Sequence, residues 1–146
     1  MNEFQIVVVI NRPVPKVFSA MDDLDKAPNW NPAVAEVRRT DDGPIKVGST
    51  VVYVGKFLGR NYESSAEYVE YVPNERSSTR TTSGPFHLEI ENVFEAVDGG
   101  TRLTSTFRGE SRGFFKLAEP VTVRLTKRQF ETATENFKEL LEADAL

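Results

Sequence analysis

The stretch that decides the fold lies at the end of the chain, where residues 114–143 have the sequence FFKLAEPVTVRLTKRQFETATENFKELLEA. Apolar residues recur in it mostly at spacings of three, four or five, and this period predicts an amphipathic helix with one apolar stripe. A single helix has to bury such a stripe against another layer of structure. The stripe consists of Phe114, Leu117, Ala118, Val121, Leu125, Phe130, Ala133, Phe137, Leu140 and Leu141.

The layer available for this packing is a β-sheet, because most of the preceding chain has the composition and punctuation of strands. Short turn sequences such as Pro73-Asn74 and Gly84-Pro85 separate the strands, and links of this length join antiparallel neighbours. The predicted strands cover residues 3–11, 33–40, 49–58, 62–72, 76–83, 86–97 and 101–110.

Two short helices are predicted after the first strand. Pro13 suits the first position of a helix, a second helical turn follows at residues 24–27, and the prolines of residues 28–32 (PNWNP) predict a rigid loop. The fold class is therefore α+β in one domain over residues 1–146, with a curved antiparallel sheet of about seven strands around a long C-terminal helix. A sheet that curves around one helix leaves a hollow, and such hollows hold small apolar molecules.

The composition excludes several classes of function. A net charge of −4, with no basic cluster beyond Lys127-Arg128, argues against nucleic-acid binding. Cysteine is absent, His87 is the single histidine, and no glycine-rich loop has the dinucleotide pattern, so neither a metal nor a cofactor is expected. No apolar run approaches the ~20 residues of a membrane span, and no signal-peptide pattern is present. We expect a soluble, cytoplasmic monomer or homodimer.

The order of the elements resembles the START-like, helix-grip superfamily, also called SRPBCC, which contains the birch-pollen-allergen fold. The chain is most similar to its polyketide cyclase/dehydrase-like branch. The resemblance implies a helix-grip fold and a cavity for a small hydrophobic molecule such as a lipid, a polyketide-like aromatic or an isoprenoid. The motifs that carry it are residues 12–18 (RPVPKVF), Trp30 with Pro32, Val47-Gly48, residues 69–73 (VEYVP) and residues 99–103 (GGTRL).

Strand alternation predicts which side chains face the helix. His87 shares its face with three glutamates and is expected at the solvent-exposed surface. The rows expected to point inward are Phe86, Leu88, Ile90, Asn92, Phe94 and Ala96 on strand 86–97, and Leu103, Ser105 and Phe107 on strand 101–110. Trp30 either plugs one end of the core or stacks on a ligand. The predicted cavity lining is Trp30, Tyr71, Phe86, Leu88, Ile90, Phe94, Leu103, Phe107, Phe114, Phe115, Val121 and Leu125.

The candidates for catalysis are Glu67, Tyr71 and Arg80. If Val69 and Tyr71 point inward, as the resemblance suggests, Glu63, Ser65 and Glu67 share their face. Glu67 would then be a buried carboxylate suited to acid–base chemistry. A β-bulge or a basic partner would instead place Glu67 outside the cavity. Strand 76–83 is polar on both faces, so Arg80 either enters the cavity or faces solvent.

Three functions fit these features: binding of a small hydrophobic ligand, a cyclase or dehydratase that encloses a polyketide-like chain, and a protein-interaction module. A cavity below the ~300 Å³ usual for ligand sites would favour the interaction module. Phe114 and Phe115 lie between Gly113 and Pro120, and they form either a movable lid over the cavity or part of the core, with Pro120 at a helix start.

Overall fold

The computed structural model describes residues 2–57, 59–111, 116 and 119–146, in which one antiparallel sheet packs on a long helix. The order of the seven described strands in the sheet is β1-β7-β6-β5-β4-β3-β2. The helix-grip fold predicted from the sequence is thereby confirmed. The strands are β1 (Asn2–Ile10), β2 (Val34–Arg39), β3 (Thr50–Phe57), β4 (Arg60–Val72), β5 (Arg76–Ser83), β6 (Phe86–Val97) and β7 (Gly100–Ser111).

The helices are α1 (Val14–Asp22), a 3₁₀ turn (Leu24–Lys26), α2 (Ala27–Trp30) and α3 (Glu119–Glu142). The rigid loop predicted at residues 28–32 is wrong in its first half, because Pro28 lies in the first turn of α2. Proline is tolerated there since its missing N–H would have no partner within the helix. The Asn31 N–H donates to the Ala27 carbonyl at 2.8 Å and closes the turn. No described helix is long and apolar enough to cross a membrane.

The inward face of α3 agrees with the predicted stripe only in its C-terminal half. Phe130, Ala133, Phe137 and Leu141 face inward as expected, but the next inward positions toward the N-terminus are Thr126 and Thr122. A helix of 3.6 residues per turn is rigid, so the packing of Phe137 and Leu141 fixes the rotation of the whole element. The predicted inward positions Val121 and Leu125 are therefore displaced by one residue, and Val121 is 46% exposed.

Two hydrophobic clusters hold the layers together. The first joins α1, α3 and the sheet, and its members are Ile10, Val17, Phe18, Phe94, Leu103, Phe137 and Leu141. The second lies under the 3₁₀ turn and α2, and its members are Leu24, Ala27, Val34, Val37, Val51, Ala66 and Tyr68. The end of α3 is tied to the β1–α1 corner, because Arg12 Nη2 donates to the Glu142 carbonyl at 2.5 Å. Both clusters contribute residues to the wall of one hollow.

Candidate functional site

A cavity of about 220 Å³ lies between the concave face of the sheet and α3. Much of its wall is aromatic, and the ring of Phe107 stacks on that of Phe130 with 4.3 Å between centroids, which fixes how closely α3 approaches β7. The helix packs against β1 and β7 at one edge of the sheet, and the space under β3 to β6 is left unfilled. Six of the predicted lining residues border this cavity: Trp30, Phe86, Leu88, Ile90, Leu103 and Phe107.

The other predicted lining residues lie elsewhere. Tyr71 and Phe94 pack on Phe18 in the first cluster, with ring centroids 5.6 and 5.0 Å away. Val121 faces solvent, and Leu125 does not border the cavity. Phe114 and Phe115 lie outside the described residues, and the predicted lid lies there with them.

A β-bulge decides the orientation of β4. The register of β4 against β5 shifts between Tyr68 and Glu70, so that both Tyr68 and Tyr71 point inward and Val69 is 41% exposed. Before the bulge, the residues that border the cavity are Tyr62, Ser64, Ala66 and Tyr68. Of the two alternatives for Glu67, the one with a β-bulge and a basic partner applies, and Glu67 does not share the inward face with Tyr71.

Glu67 and Arg80 form an ion pair on the outer surface of the sheet. The two residues are paired across β4 and β5, and Arg80 Nη2 lies 2.5 Å from Glu67 Oε1. Their side chains are 29% and 49% exposed, and neither borders the cavity. The structure thus removes both from contact with an enclosed substrate.

His87 alternates with the inward side chains of Phe86 and Leu88 and does not border the cavity. Within the described residues, no group of three or more histidine, aspartate or glutamate side chains is arranged to hold a metal ion.

A row of polar side chains crosses neighbouring strands of the sheet next to the cavity. Strand pairing places Tyr71 opposite Ser77, Ser77 opposite Asn92, and Asn92 opposite Ser105. Ser77, Asn92 and Ser105 all border the cavity, and the Ser105 hydroxyl donates to Asn92 Oδ1 at 2.6 Å. The position of these residues in the sheet follows from strand register, which no single stretch of sequence specifies.

Asp22 supplies the one carboxylate among the described residues that border the cavity, and it was not singled out from the sequence. It ends α1, and the Tyr71 hydroxyl donates a hydrogen bond to its Oδ2. Burial raises the pKa of Asp22, and the Tyr71 hydrogen bond and the positive charge of Arg39 oppose this rise. The carboxyl is therefore a weaker acid than an exposed aspartate.

The tyrosines that border the cavity, and Tyr71 beside Asp22, are neutral at physiological pH. Burial raises the pKa of both Tyr53 and Tyr62 to about 12. Burial also raises the pKa of Tyr68, and the pKa of Tyr71 rises through burial and through its hydrogen bond to Asp22. A neutral phenol can donate a hydrogen bond to a ligand but cannot act as a base, so Tyr71 holds Asp22 in place rather than removing a proton itself.

Several residues that border the cavity were missed in the sequence, for two different reasons. The row Tyr62, Ser64, Ala66 and Tyr68 alternates with the charged residues Glu63 and Glu67, and that period-2 signal was present. Asp22 had no such signal, because only the packing of α1 against β4 brings it to the cavity.

Solved structures of other proteins share this architecture. TTHA0849 from Thermus thermophilus superposes with a TM-score of 0.84 at 19% identity, covering 99% of this chain and 100% of that chain. The ZhuI aromatase/cyclase from Streptomyces sp. R1128 has a TM-score of 0.76 at 13% identity, with coverage of 99% and 93%. A START superfamily protein from Mycobacterium smegmatis has a TM-score of 0.68 at 14% identity, with coverage of 88% and 94%.

At these identities, the similarity to solved structures establishes the fold alone. No curated protein sequence matches the chain. The family described as polyketide cyclase / dehydrase and lipid transport matches residues 1–142, which is nearly the whole chain. The predicted resemblance to the START-like superfamily and its polyketide cyclase-like branch is confirmed, and the chain belongs to the polyketide cyclase / dehydrase and lipid transport family.

Proposed function

We propose that the protein binds one small hydrophobic molecule in the cavity between the sheet and α3. The observation that carries this proposal is an aromatic-walled hollow of about 220 Å³ between the sheet and α3. The apolar wall of this hollow lacks the van der Waals contacts that close packing would give it. A bound apolar molecule would restore the missing contacts.

The cavity volume limits the size of the ligand. It is below the ~300 Å³ of typical ligand sites, and by that criterion alone the interaction module would be favoured. Apolar cavities of about 150 Å³ nevertheless accept benzene, so about 220 Å³ suits a compact molecule of one or two rings. The aromatic wall and the polar row inside it favour such a ligand over an empty hollow under an interaction surface.

Trp30 permits a direct test, because it is the single tryptophan of the chain and borders the cavity. We expect α-methylstyrene, a planar apolar one-ring compound, to bind in isothermal titration calorimetry and to shift the single indole N–H resonance of Trp30. Ala66 borders the cavity and Ala96 is exposed on β6. Ala66→Leu should weaken binding by narrowing the hollow, and Ala96→Leu should leave it intact. Equal binding by both variants would contradict the proposal.

A second candidate function is cyclase or dehydratase chemistry, which the position of Asp22 favours. A carboxylate that borders an apolar cavity could take a proton from the carbon between two ketones and return it to a hydroxyl group that leaves as water. The raised pKa of Asp22 suits both steps. With a short linear β-polyketone as substrate, Asp22→Asn should abolish turnover without loss of α-methylstyrene binding. Undiminished turnover in that variant would exclude this role.

We further propose a cytoplasmic protein that is a monomer or a homodimer. The absence of cysteine supports the cytoplasmic location, because no disulfide can form. Size-exclusion chromatography with light scattering would measure the mass in solution, and a mass above that of two chains would contradict the second part.

A further inference from the structure

The polar row inside the cavity holds two hydrogen-bond donors without partners. The Ser105 hydroxyl satisfies the oxygen of the Asn92 side chain, but the Asn92 amide nitrogen makes no hydrogen bond to any residue that the structure describes. The Ser77 hydroxyl makes none to the described residues either, although Ser77 is only 5% exposed. Both residues border the cavity, and neither atom is fully enclosed by protein, so each can donate to a molecule that occupies the cavity.

The two donors lie side by side. Ser77 and Asn92 are direct partners across β5 and β6, which places their Cβ atoms about 5 Å apart on one face of the sheet. Two adjacent donors can converge on a single oxygen, and a carbonyl oxygen has two lone pairs to accept them.

The surroundings of these donors are apolar. Along β6, Asn92 alternates with Ile90 and Phe94, and along β7 the partner residue Ser105 alternates with Leu103 and Phe107. An oxygen bound here is shielded from water, which strengthens each hydrogen bond that it accepts. The ring that carries the oxygen would at the same time contact the hydrocarbon wall.

We infer that Ser77 and Asn92 form an anchoring subsite for a carbonyl oxygen and that the ligand is a compact aromatic ketone rather than a pure hydrocarbon. This inference rests on the proposed ligand-binding function and deepens it by naming the polar group of the ligand. Ser105 acts as a positioning residue, because its hydroxyl fixes the rotation of the Asn92 amide.

The test compares two planar molecules of the same shape, acetophenone and α-methylstyrene, in which a carbonyl oxygen replaces a methylene group. Isothermal titration calorimetry would measure both with the wild type and with Asn92→Leu, which keeps the volume and removes the donor. We expect Asn92→Leu to weaken the binding of acetophenone about tenfold, since a lost hydrogen bond leaves the carbonyl unpaired. The affinity for α-methylstyrene should stay within about twofold of the wild type, since that molecule makes no hydrogen bond there.

Ser77→Ala is the second variant, because it removes one hydroxyl and can be expected to fold even if Asn92→Leu does not. It should also weaken the binding of acetophenone and leave the binding of α-methylstyrene unchanged. Asn61→Leu changes an exposed asparagine on β4 and should alter neither affinity. Binding of α-methylstyrene with equal effects of Asn92→Leu and Ser77→Ala on both compounds would overturn the anchoring subsite and leave the proposed function standing. Failure of the wild type to bind either compound would overturn both.

Discussion

The Tyr71 hydroxyl donates a hydrogen bond to the Asp22 carboxylate and so joins the last turn of α1 to β4 at the wall of the cavity. This contact is the point at which a short helix near the start of the chain becomes part of the site. It also holds a carboxylate in a place where burial opposes its charge.

The first prediction concerns the pH dependence of stability. Because burial raises the pKa of Asp22 above 3.8, the folded state retains this proton to a higher pH than the unfolded chain does. The free energy of unfolding therefore loses a contribution as pH rises from the unfolded to the folded pKa. Asp22→Asn removes the titrating group and with it this loss. The difference in the free energy of unfolding, variant minus wild type, should therefore increase as pH rises above 3.8.

Urea denaturation at several pH values between about 4 and 7 would measure this difference. The neighbouring Asp23 is exposed, and Asp23→Asn is the matched control. A stability difference for Asp22→Asn that does not vary with pH would show that the carboxyl titrates alike in both states.

The second prediction concerns the rotation of α3. Phe137 is 1% exposed and contacts the Trp30 ring with centroids 5.0 Å apart, so Phe137→Ala should lower the free energy of unfolding by about 3–5 kcal/mol. Val121 on the same helix is 46% exposed, and Val121→Ala should change the free energy of unfolding by less than about 0.5 kcal/mol. Chemical denaturation measures both, and a large loss for Val121→Ala would mean that α3 is rotated from the described position.

The third prediction concerns the close approach of β3 to the chain just before β2. A Cβ at Gly55 would lie 1.8 Å from the carbonyl oxygen of Ala33, which also accepts a hydrogen bond from the Tyr62 hydroxyl at 2.8 Å. Gly55→Ala should therefore force this edge apart and destabilise the protein by about 1–3 kcal/mol. A Cβ at Gly43 meets nothing within 4 Å, so Gly43→Ala is the control in the same thermal melt. Equal melting temperatures for the two variants would contradict the described contact.

The fourth prediction concerns the ion pair of Glu67 and Arg80. Because both side chains lie at the outer surface, Glu67→Gln should leave the affinity for α-methylstyrene unchanged and cost at most about 1 kcal/mol of stability. Titration calorimetry and urea denaturation measure the two quantities. A clear loss of ligand affinity would indicate that Glu67 faces the cavity, which would contradict the register described for β4.

The strand pattern, the terminal helix and the family resemblance together predicted the fold. Alternation along β6 and β7 also predicted the inward positions of Leu88, Ile90 and Phe107, because these strands pair in one continuous register. Alternation failed on β4, where one bulge after Tyr68 shifts the face of every later residue. The prediction of which face of α3 points inward failed at the N-terminal end of the helix for a similar reason. Phe137 and Leu141, which are well packed near its C-terminal end, set the rotation of the whole helix.

The amino-acid sequence by itself determined the α+β class, the antiparallel order of the strands, the long terminal helix and the existence of a hollow, because periodicity and turn chemistry are local properties. Alternation placed Asn92 and Ser105 on inward rows, but only the tertiary structure decided which other polar groups enter that hollow and which of them lie side by side. Asp22 and Asn92 are 70 residues apart in the chain, and Ser77 and Ser105 are 28 apart. Strand register and helix packing bring such residues together, and both depend on contacts between segments that are distant in sequence.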